Sequence, residues 1–215
     1  MSNCLPFFVL VIAFNLSKCY NFIIKNNKEQ TMRKDFGKKT WVFPCPVLII
    51  GTYDDNGKPD AMNAAWGGVY DTNQVMLCLS DDHKTAKNIL SKKAFTVSFA
   101  DAAHVVEADY VGIVSANDVP DKLAKCNLRT EKSKHVDAPL LVDFPLAIEC
   151  MLNHVNEDGI IVGDIVNVSA DESVLDAKGN VDLGKANIIT YNSAQHDYRV
   201  LGAKVGNAFS DGKKI

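Results

Sequence analysis

A chain of 215 residues can bury a proper core and suits one domain, or one domain with a tail. Hydrophobic residues make up 47% and charged residues 23%, a globular balance that excludes a disordered chain. A net charge of −3 offers no global attraction to nucleic acid or to acidic membranes, so neither is expected as a partner and any anion site must be local.

The amino terminus differs in character from the rest. Leu5 to Phe14 is an apolar run too short to span a membrane. No Lys or Arg precedes it and no A-x-A site follows, so a secreted form is the weaker reading. A polar stretch from Lys25 to Thr31 leads to Met32, beyond which folded-domain patterning begins. The expectation is an extension over residues 1–31, a translation start at Met32, and one cytoplasmic domain over 32–215. Cys4, Cys19, Cys45, Cys78, Cys126 and Cys150 are widely spaced with no C-x-x-C pair. That argues against zinc and against a disulfide framework, and for reduced thiols. Cys78 and Cys150 sit in apolar runs and read as core residues.

Val47 to Tyr53 is rich in branched residues and reads as a buried strand. Asp54-Asp55-Asn56-Gly57 is a hairpin turn, and Asp60 to Trp66 the return strand. Val75 to Leu79 reads as a strand, Thr85 to Lys92 as a short helix, and Phe95 to Phe99 as a strand. Helical stretches are expected over Ala103 to Tyr110 and Asp118 to Lys125. Pro145 to His154 and Ile160 to Val168 form a hairpin about Asn156-Glu157-Asp158-Gly159, and Asn187 to Tyr191 supplies a last strand. The pattern is mainly β, an antiparallel barrel with helical insertions. No G-x-G-x-x-G follows a strand and no P-loop is present, which excludes the common dinucleotide and triphosphate signatures.

The window Met62 to Asn88 carries the chemistry. Asp81-Asp82-His83-Lys84-Thr85 opens a helix, and a helix start presents free N–H groups and a positive dipole end that favour a phosphate. Lys84 adds a point charge and Thr85 a hydroxyl. Asn63 offers an amide, Ala64-Ala65 leave room for a flat ring near the backbone, and Trp66 adds an aromatic edge. The rival reading is a helix cap with a solvated lysine, and Asp81 and Asp82 repel a phosphate unless they turn away.

From Trp41 to Gly206 the chain resembles the flavin reductase-like FMN-binding split barrels, the family that includes flavoredoxin. The resemblance rests on FPCPVLIIGTYDDNGKPDAMNAAW, SDDHKTAKNIL before FTVSF, DYVGIVSANDVPDKL, APLLVDFPLAIEC, IIVGDIVNV and YRVLG, in that order. It implies an antiparallel split β-barrel with FMN as cofactor. Asn63, Ala64, Ala65 and Trp66 would line the ring and ribityl chain, and Ser80, His83, Lys84 and Thr85 the phosphate end. Phe99, Ala100 and Asp101 are also placed near the cofactor. It further implies a homodimer in which the partner chain completes the site. Ser115-Ala116-Asn117 replaces the family's Ser-Gly, so that loop is left out of the expected site; Leu123 replaces a more usual phenylalanine.

The resemblance implies an oxidoreductase, a flavin reductase taking electrons from NAD(P)H through FMN to flavin or another small acceptor. The alternatives are a flavoredoxin-type electron carrier and a flavin-binding module without turnover. Hydride delivery to a flavin requires no side-chain acid or base, so no catalytic residue is named. The five histidines show no H-E-x-x-H or i, i+4 pattern, so no metal is expected. His196 reads as a surface residue, Asp109 and Asp164 can be read as acid–base groups only with a paired geometry that no sequence shows, and no serine sits in a G-x-S-x-G elbow.

Overall fold

The chain is described by a computed structural model over residues 32–215. Thr40–Ile215 form one compact unit, and the described residues 32–39 form no helix or strand. The expectations for Leu5 to Phe14, Cys4 and Cys19 lie outside the described residues. Among those described, no helix is long and apolar enough to cross a membrane.

The strands of the Thr40–Ile215 unit begin with β1 (Cys45–Pro46), β2 (Leu48–Tyr53), β3 (Pro59–Ala64), β4 (Gly67–Asp71) and β5 (Gln74–Leu77). Helix α1 (Lys84–Lys92) and β6 (Ala94–Phe99) follow, then α2 (Val105–Ile113), α3 (Lys122–Lys125), β7 (Thr130–Lys132) and β8 (Pro139–Leu141). The long hairpin β9 (Leu146–Val155) and β10 (Ile161–Ala170) comes next, and α4 (Leu183–Ala186), β11 (Ile189–Asn192) and β12 (Asp197–Val200) close the order. Seven strands form one antiparallel sheet in the order β3-β2-β6-β9-β10-β5-β4. Its two edge strands, β3 and β4, are consecutive in the chain and joined only by Ala65-Trp66. Three Cα steps reach about 11 Å at most, so the sheet must curl until its edges approach. The result is the expected split barrel.

Strand alternation explains the core. Leu48 and Ile50 of β2 enter one cluster with Phe95, Val97, Leu77 and Ile161, the barrel interior, joined by Ala86 and Ile89 of α1. The alternate residues Val47 and Ile49 enter a second cluster with Ala108 and Val111 of α2, Leu123 of α3, and Phe144. Because both faces of β2 are covered, its sequence is a continuous apolar run rather than an alternating one.

Two tight turns follow their sequence. Gly57 has φ +76° and Gly159 φ +79°, in the left-handed region where glycine carries no steric cost, and each N–H closes its turn at 2.9–3.0 Å on Asp54 and Asn156. The predicted strands are found with ends shifted by up to two residues. The strand β4 went unpredicted because it opens on Gly67-Gly68, which carry no β preference; pairing of Gly67 with Leu77 makes the strand. The helix expected to end at Tyr110 instead runs from Val105 to Ile113, its start set by Asp101 Oδ1 accepting from the His104 N–H at 2.9 Å. Asp118 to Lys125 contains only the short α3. Cys78 corrects the reading of its run: it lies past the end of β5 and is exposed, whereas Cys150 is fully buried, with burial and nearby carboxylates raising its thiol to about 12.

Candidate functional site

The edge strand β3 has helices on both faces. Thr85 of α1 reaches Asp60 from one side, and Gly112 of α2 meets Asn63 from the other. A Cβ on Gly112 would lie 2.9 Å from the Asn63 Cβ, so only glycine lets helix and strand close to this distance. Asn63 is held there by its Nδ2 donating to the Ala108 carbonyl at 3.0 Å. Two cavities share Asn63, Gly112 and Ile113 in their walls and so adjoin.

The first is a cleft of about 310 Å³ whose walls include Asp60, Asn63, His83, Lys84, Thr85 and Lys122, together with Val111 to Ala116. Two ion pairs hold its lysines. The Lys122 ammonium is almost fully buried, 3.2 Å from Asp60 Oδ1, and donates to the Val114 carbonyl at 3.0 Å. Thr85 Oγ1 donates to Asp60 Oδ2 at 2.9 Å. Lys84 Nζ lies 3.3 Å from Asp54 Oδ2 in the β2–β3 turn. Backbone N–H groups, that of Lys58 first, hold the Asp54 carboxyl below the usual carboxylate range, and Lys84 adds to this. His83 precedes α1 in an extended conformation and supplies no side-chain cap to the first amides of the nine-residue helix. The exposed Asp81 and Asp82 do not line the cleft.

The second cavity, about 380 Å³, is lined by Asn63, Ala65, Asp109, Gly112, Ile113, Tyr191, His196 and Tyr198. The Cys45 thiol donates to the Ala65 carbonyl at 3.2 Å and fixes the backbone there. Tyr191 and Tyr198 face each other across β11 and β12, ring centroids 6.0 Å apart. The Tyr198 hydroxyl donates to Asp109 Oδ1 at 2.7 Å, and Tyr191 Oη is 2.8 Å from His196 Nδ1. Burial first, then Asp109, raises the Tyr198 hydroxyl well above its ordinary value.

Of the expected residues, Asn63, Ala65, His83, Lys84 and Thr85 are brought to these cavities. The others are not. The Ala64 side chain belongs to the barrel core, and Trp66 and Ser80 are exposed outside the cavity walls. Ala100 is fully buried, and Phe99 packs between the barrel interior and the Val174–Ala186–Ile188 cluster. Asp101 caps α2 and lines a separate cavity of about 290 Å³. The reason is topological: β6 lies inside the sheet between β2 and β9, and it leads toward β11 through the Asp101–Ile188 bridge, not toward the β3 edge. Thr85 also plays a different part, because its buried hydroxyl proton is given to Asp60. Asp60, Lys122, Gly112, Ser115, Ala116, Tyr191 and Tyr198 were missed, and His196, read as a surface residue, is exposed but lines the groove. The loop left out for its Ser115-Ala116 departure is part of the cleft wall, with Ala116 buried. Among the described residues, no group of His, Cys, Asp and Glu is arranged to hold a metal.

The fold and site can be set against known proteins. The structure matches flavoredoxin of Desulfovibrio vulgaris (Miyazaki F) with a TM-score of 0.81 and 35% identity, over 84% of this chain and 100% of that one. Flavoredoxin from Methanosarcina acetivorans matches with a TM-score of 0.77 and 22% identity, over 85% and 98%. An FMN-binding domain of a flavin reductases-like enzyme from Shewanella baltica matches with a TM-score of 0.67 and 18% identity, over 76% and 89%. No curated protein matches in sequence. The model of the flavin reductase like domain matches residues 40–195, most of the compact unit and of the chain, and the chain belongs to that family.

Proposed function

We propose that the chain binds FMN across the two adjoining cavities and works as an NAD(P)H-dependent flavin reductase, delivering electrons to flavin or another small acceptor. The observation that carries this is the junction at Asn63 and Gly112. It joins a cleft bearing Lys84 and the uncapped start of α1 to a groove with a bare backbone wall and two tyrosines. Each cavity falls in the range of about 300–1,000 Å³ common for ligand sites. The donor set fits a phosphate at one end and a flat ring at the other.

Lys84 and the first amides of α1 would hold the phosphate, with His83 beside them. Asn63, locked by Ala108, and the Ala65 backbone, fixed by Cys45, would orient the ring. Tyr191 and Tyr198 would flank it, and Asp109 keeps the Tyr198 proton on its hydroxyl. FMN, when bound, supplies the hydride and electron transfer that these side chains cannot. The exposed edge at His196 would leave access for a nicotinamide or an acceptor. A homodimer belongs to the same proposal, with a second copy covering the exposed Trp66, Val69 and Tyr70; sedimentation should give twice the chain mass.

One observation favours a second reading, an electron carrier: the match over the full length of a flavoredoxin. Steady-state oxidation of NADH and NADPH, with and without added flavin, separates the two. A reductase consumes a nicotinamide; a carrier is reduced only by a protein partner; a binding module by neither. Denatured protein should release FMN. Lys84→Ala should weaken FMN about ten- to a hundredfold, the loss of a charge-assisted contact, and leave riboflavin nearly unchanged. A protein that binds neither flavin overturns the proposal.

A further inference from the structure

Both lysines at the phosphate end of the cleft are matched by a carboxylate, Lys122 by Asp60 and Lys84 by Asp54. An FMN phosphate brings about −1.5 to −2 charges at neutral pH, and a lysine that meets it must divide its attraction between the phosphate and the carboxylate it already holds. Lys122 is the poorer candidate. Its side chain is 4% exposed, and besides Asp60 it is held by the carbonyls of Val114 at 3.0 Å and Val111 at 3.5 Å. The Lys84 side chain is 22% exposed, carries a flexible stem, and among the described residues bonds only Asp54.

Asp54, in contrast, is fixed. Its Oδ1 accepts from the N–H groups of Asn56 at 3.0 Å and Lys58 at 2.9 Å, which leaves Oδ2 directed at Lys84. The same turn is tied to α1 at its other end, where Ser91 Oγ donates to Asp55 Oδ1 at 2.5 Å and Lys92 Nζ to the Asp55 carbonyl at 3.5 Å. The carboxylate is therefore a rigid counter-ion, held in place without Lys84.

We propose that Asp54 is a built-in competitor for Lys84: its carboxylate and the cofactor phosphate take turns at one ammonium group. Asp54 thereby sets phosphate affinity and the rate of cofactor release, although it does not itself line the cleft. The inference rests on the FMN reading above and adds to it a residue that controls the preference for FMN over riboflavin. The exchange also lowers the barrier to departure, since Lys84 has a second partner waiting as the phosphate leaves.

The test is calorimetric titration of full-length protein, stripped of flavin, with FMN and riboflavin. Release of FMN from loaded protein is followed by fluorescence on dilution. Asp54→Asn keeps the Oδ1 acceptor that makes the turn and removes only the charge, so it should fold, which a thermal melt checks. It should bind FMN about three- to tenfold tighter and release it more slowly in proportion, because a partly exposed ion pair no longer competes. Riboflavin should change less than about twofold. Asp55→Asn makes the same charge change one residue away, toward Ser91 rather than Lys84, and should resemble wild type. In a Lys84→Gln background Asp54→Asn should give no gain, since the two residues act through one bond.

A gain that survives Lys84→Gln, or that Asp55→Asn reproduces, means general repulsion and overturns the proposal. So does unchanged FMN affinity in Asp54→Asn. Wild-type protein that takes up neither flavin overturns this inference and the FMN reading together. Flavin uptake with unresponsive Asp54 variants overturns this inference alone.

Discussion

The two cavities that meet at Asn63 and Gly112 are built in opposite ways. The cleft beside α1 has two lysines in its walls, each matched by a carboxylate and partly or wholly withdrawn from water. The groove beside β11 and β12 is walled by tyrosines, with a histidine at its exposed rim. Burying an unmatched charge costs several kcal/mol, so a chain that must fold before it meets an anion has to carry the counter-ions for its own lysines. A flat ring asks for less: aromatic walls, a bare backbone and a few fixed hydrogen bonds. Energy at the first end therefore lies in a few strong pairs, and at the second in many weak contacts. Single substitutions at the two ends should differ accordingly.

The largest effect is expected at the buried ion pair of the cleft. Lys122→Met leaves Asp60 buried with Thr85 as its remaining partner, and breaking a buried pair from one side costs about 3–5 kcal/mol. Urea unfolding should show the loss. Adding Asp60→Asn should restore most of it, because the stranded charge is then gone while an acceptor for Thr85 remains. A single variant that loses less than about 1 kcal/mol would mean that the pair behaves as a solvated one.

A smaller effect, acting on both ends at once, is expected at their junction. Gly112→Ala places a methyl 2.9 Å from the Asn63 Cβ, close enough that α2 or β3 must move. Overpacking of this kind costs about 1–3 kcal/mol, and it displaces the Asn63 amide that both cavities share. FMN and riboflavin affinities should fall in parallel, unlike the phosphate-selective loss expected for Lys84→Ala. Titration of both flavins distinguishes the two patterns. If Gly112→Ala weakened FMN alone, the junction would belong to the phosphate end only.

The same contrast explains what the sequence made legible. The hairpin turns, β2, the β9–β10 pair and the start of α1 were readable because each is encoded locally, by Asn-Gly, Asp-Gly, apolar runs and a polar helix opening. Asn63, Ala65, His83 and Lys84 were placed by a resemblance whose motifs lie in order along the chain. Lys122 was not, since a buried lysine and a solvated one look alike until the carbonyls of Val111 and Val114 are seen closing over it. Asp60 did carry a signal, a carboxylate inside an apolar strand. Tyr191 and Tyr198 are opposite each other only once the hairpin register is set, and β12 was not predicted. Phe99, Ala100 and Asp101 lie away from the two cavities for the converse reason. Chain order alone cannot say which strands of a curled sheet become its edges.

The smallest effect should appear at the aromatic end, and pH exposes it. Tyr198 gives its proton to Asp109 at 2.7 Å, and Tyr198→Phe removes that hydrogen bond while keeping the ring. Because Asp109 lines the open groove, the cost should be modest, about 0.5–1.5 kcal/mol. Burial and Asp109 raise the Tyr198 hydroxyl above its unfolded value, so the folded chain holds this proton more tightly than the unfolded one. The contribution is then complete below the ordinary tyrosine value of about 10 and is lost as pH rises beyond it. Wild type should exceed Tyr198→Phe in stability by a constant margin up to that point, and the margin should close at higher pH. Other groups that titrate in alkali are common to both proteins and drop out of the difference. Urea midpoints across neutral and alkaline pH measure the margin directly. A margin that stays constant through the alkaline range would mean that the hydroxyl is solvated and that Asp109 does not hold its proton. The groove would then be apolar wall alone, and its contrast with the charged cleft sharper still.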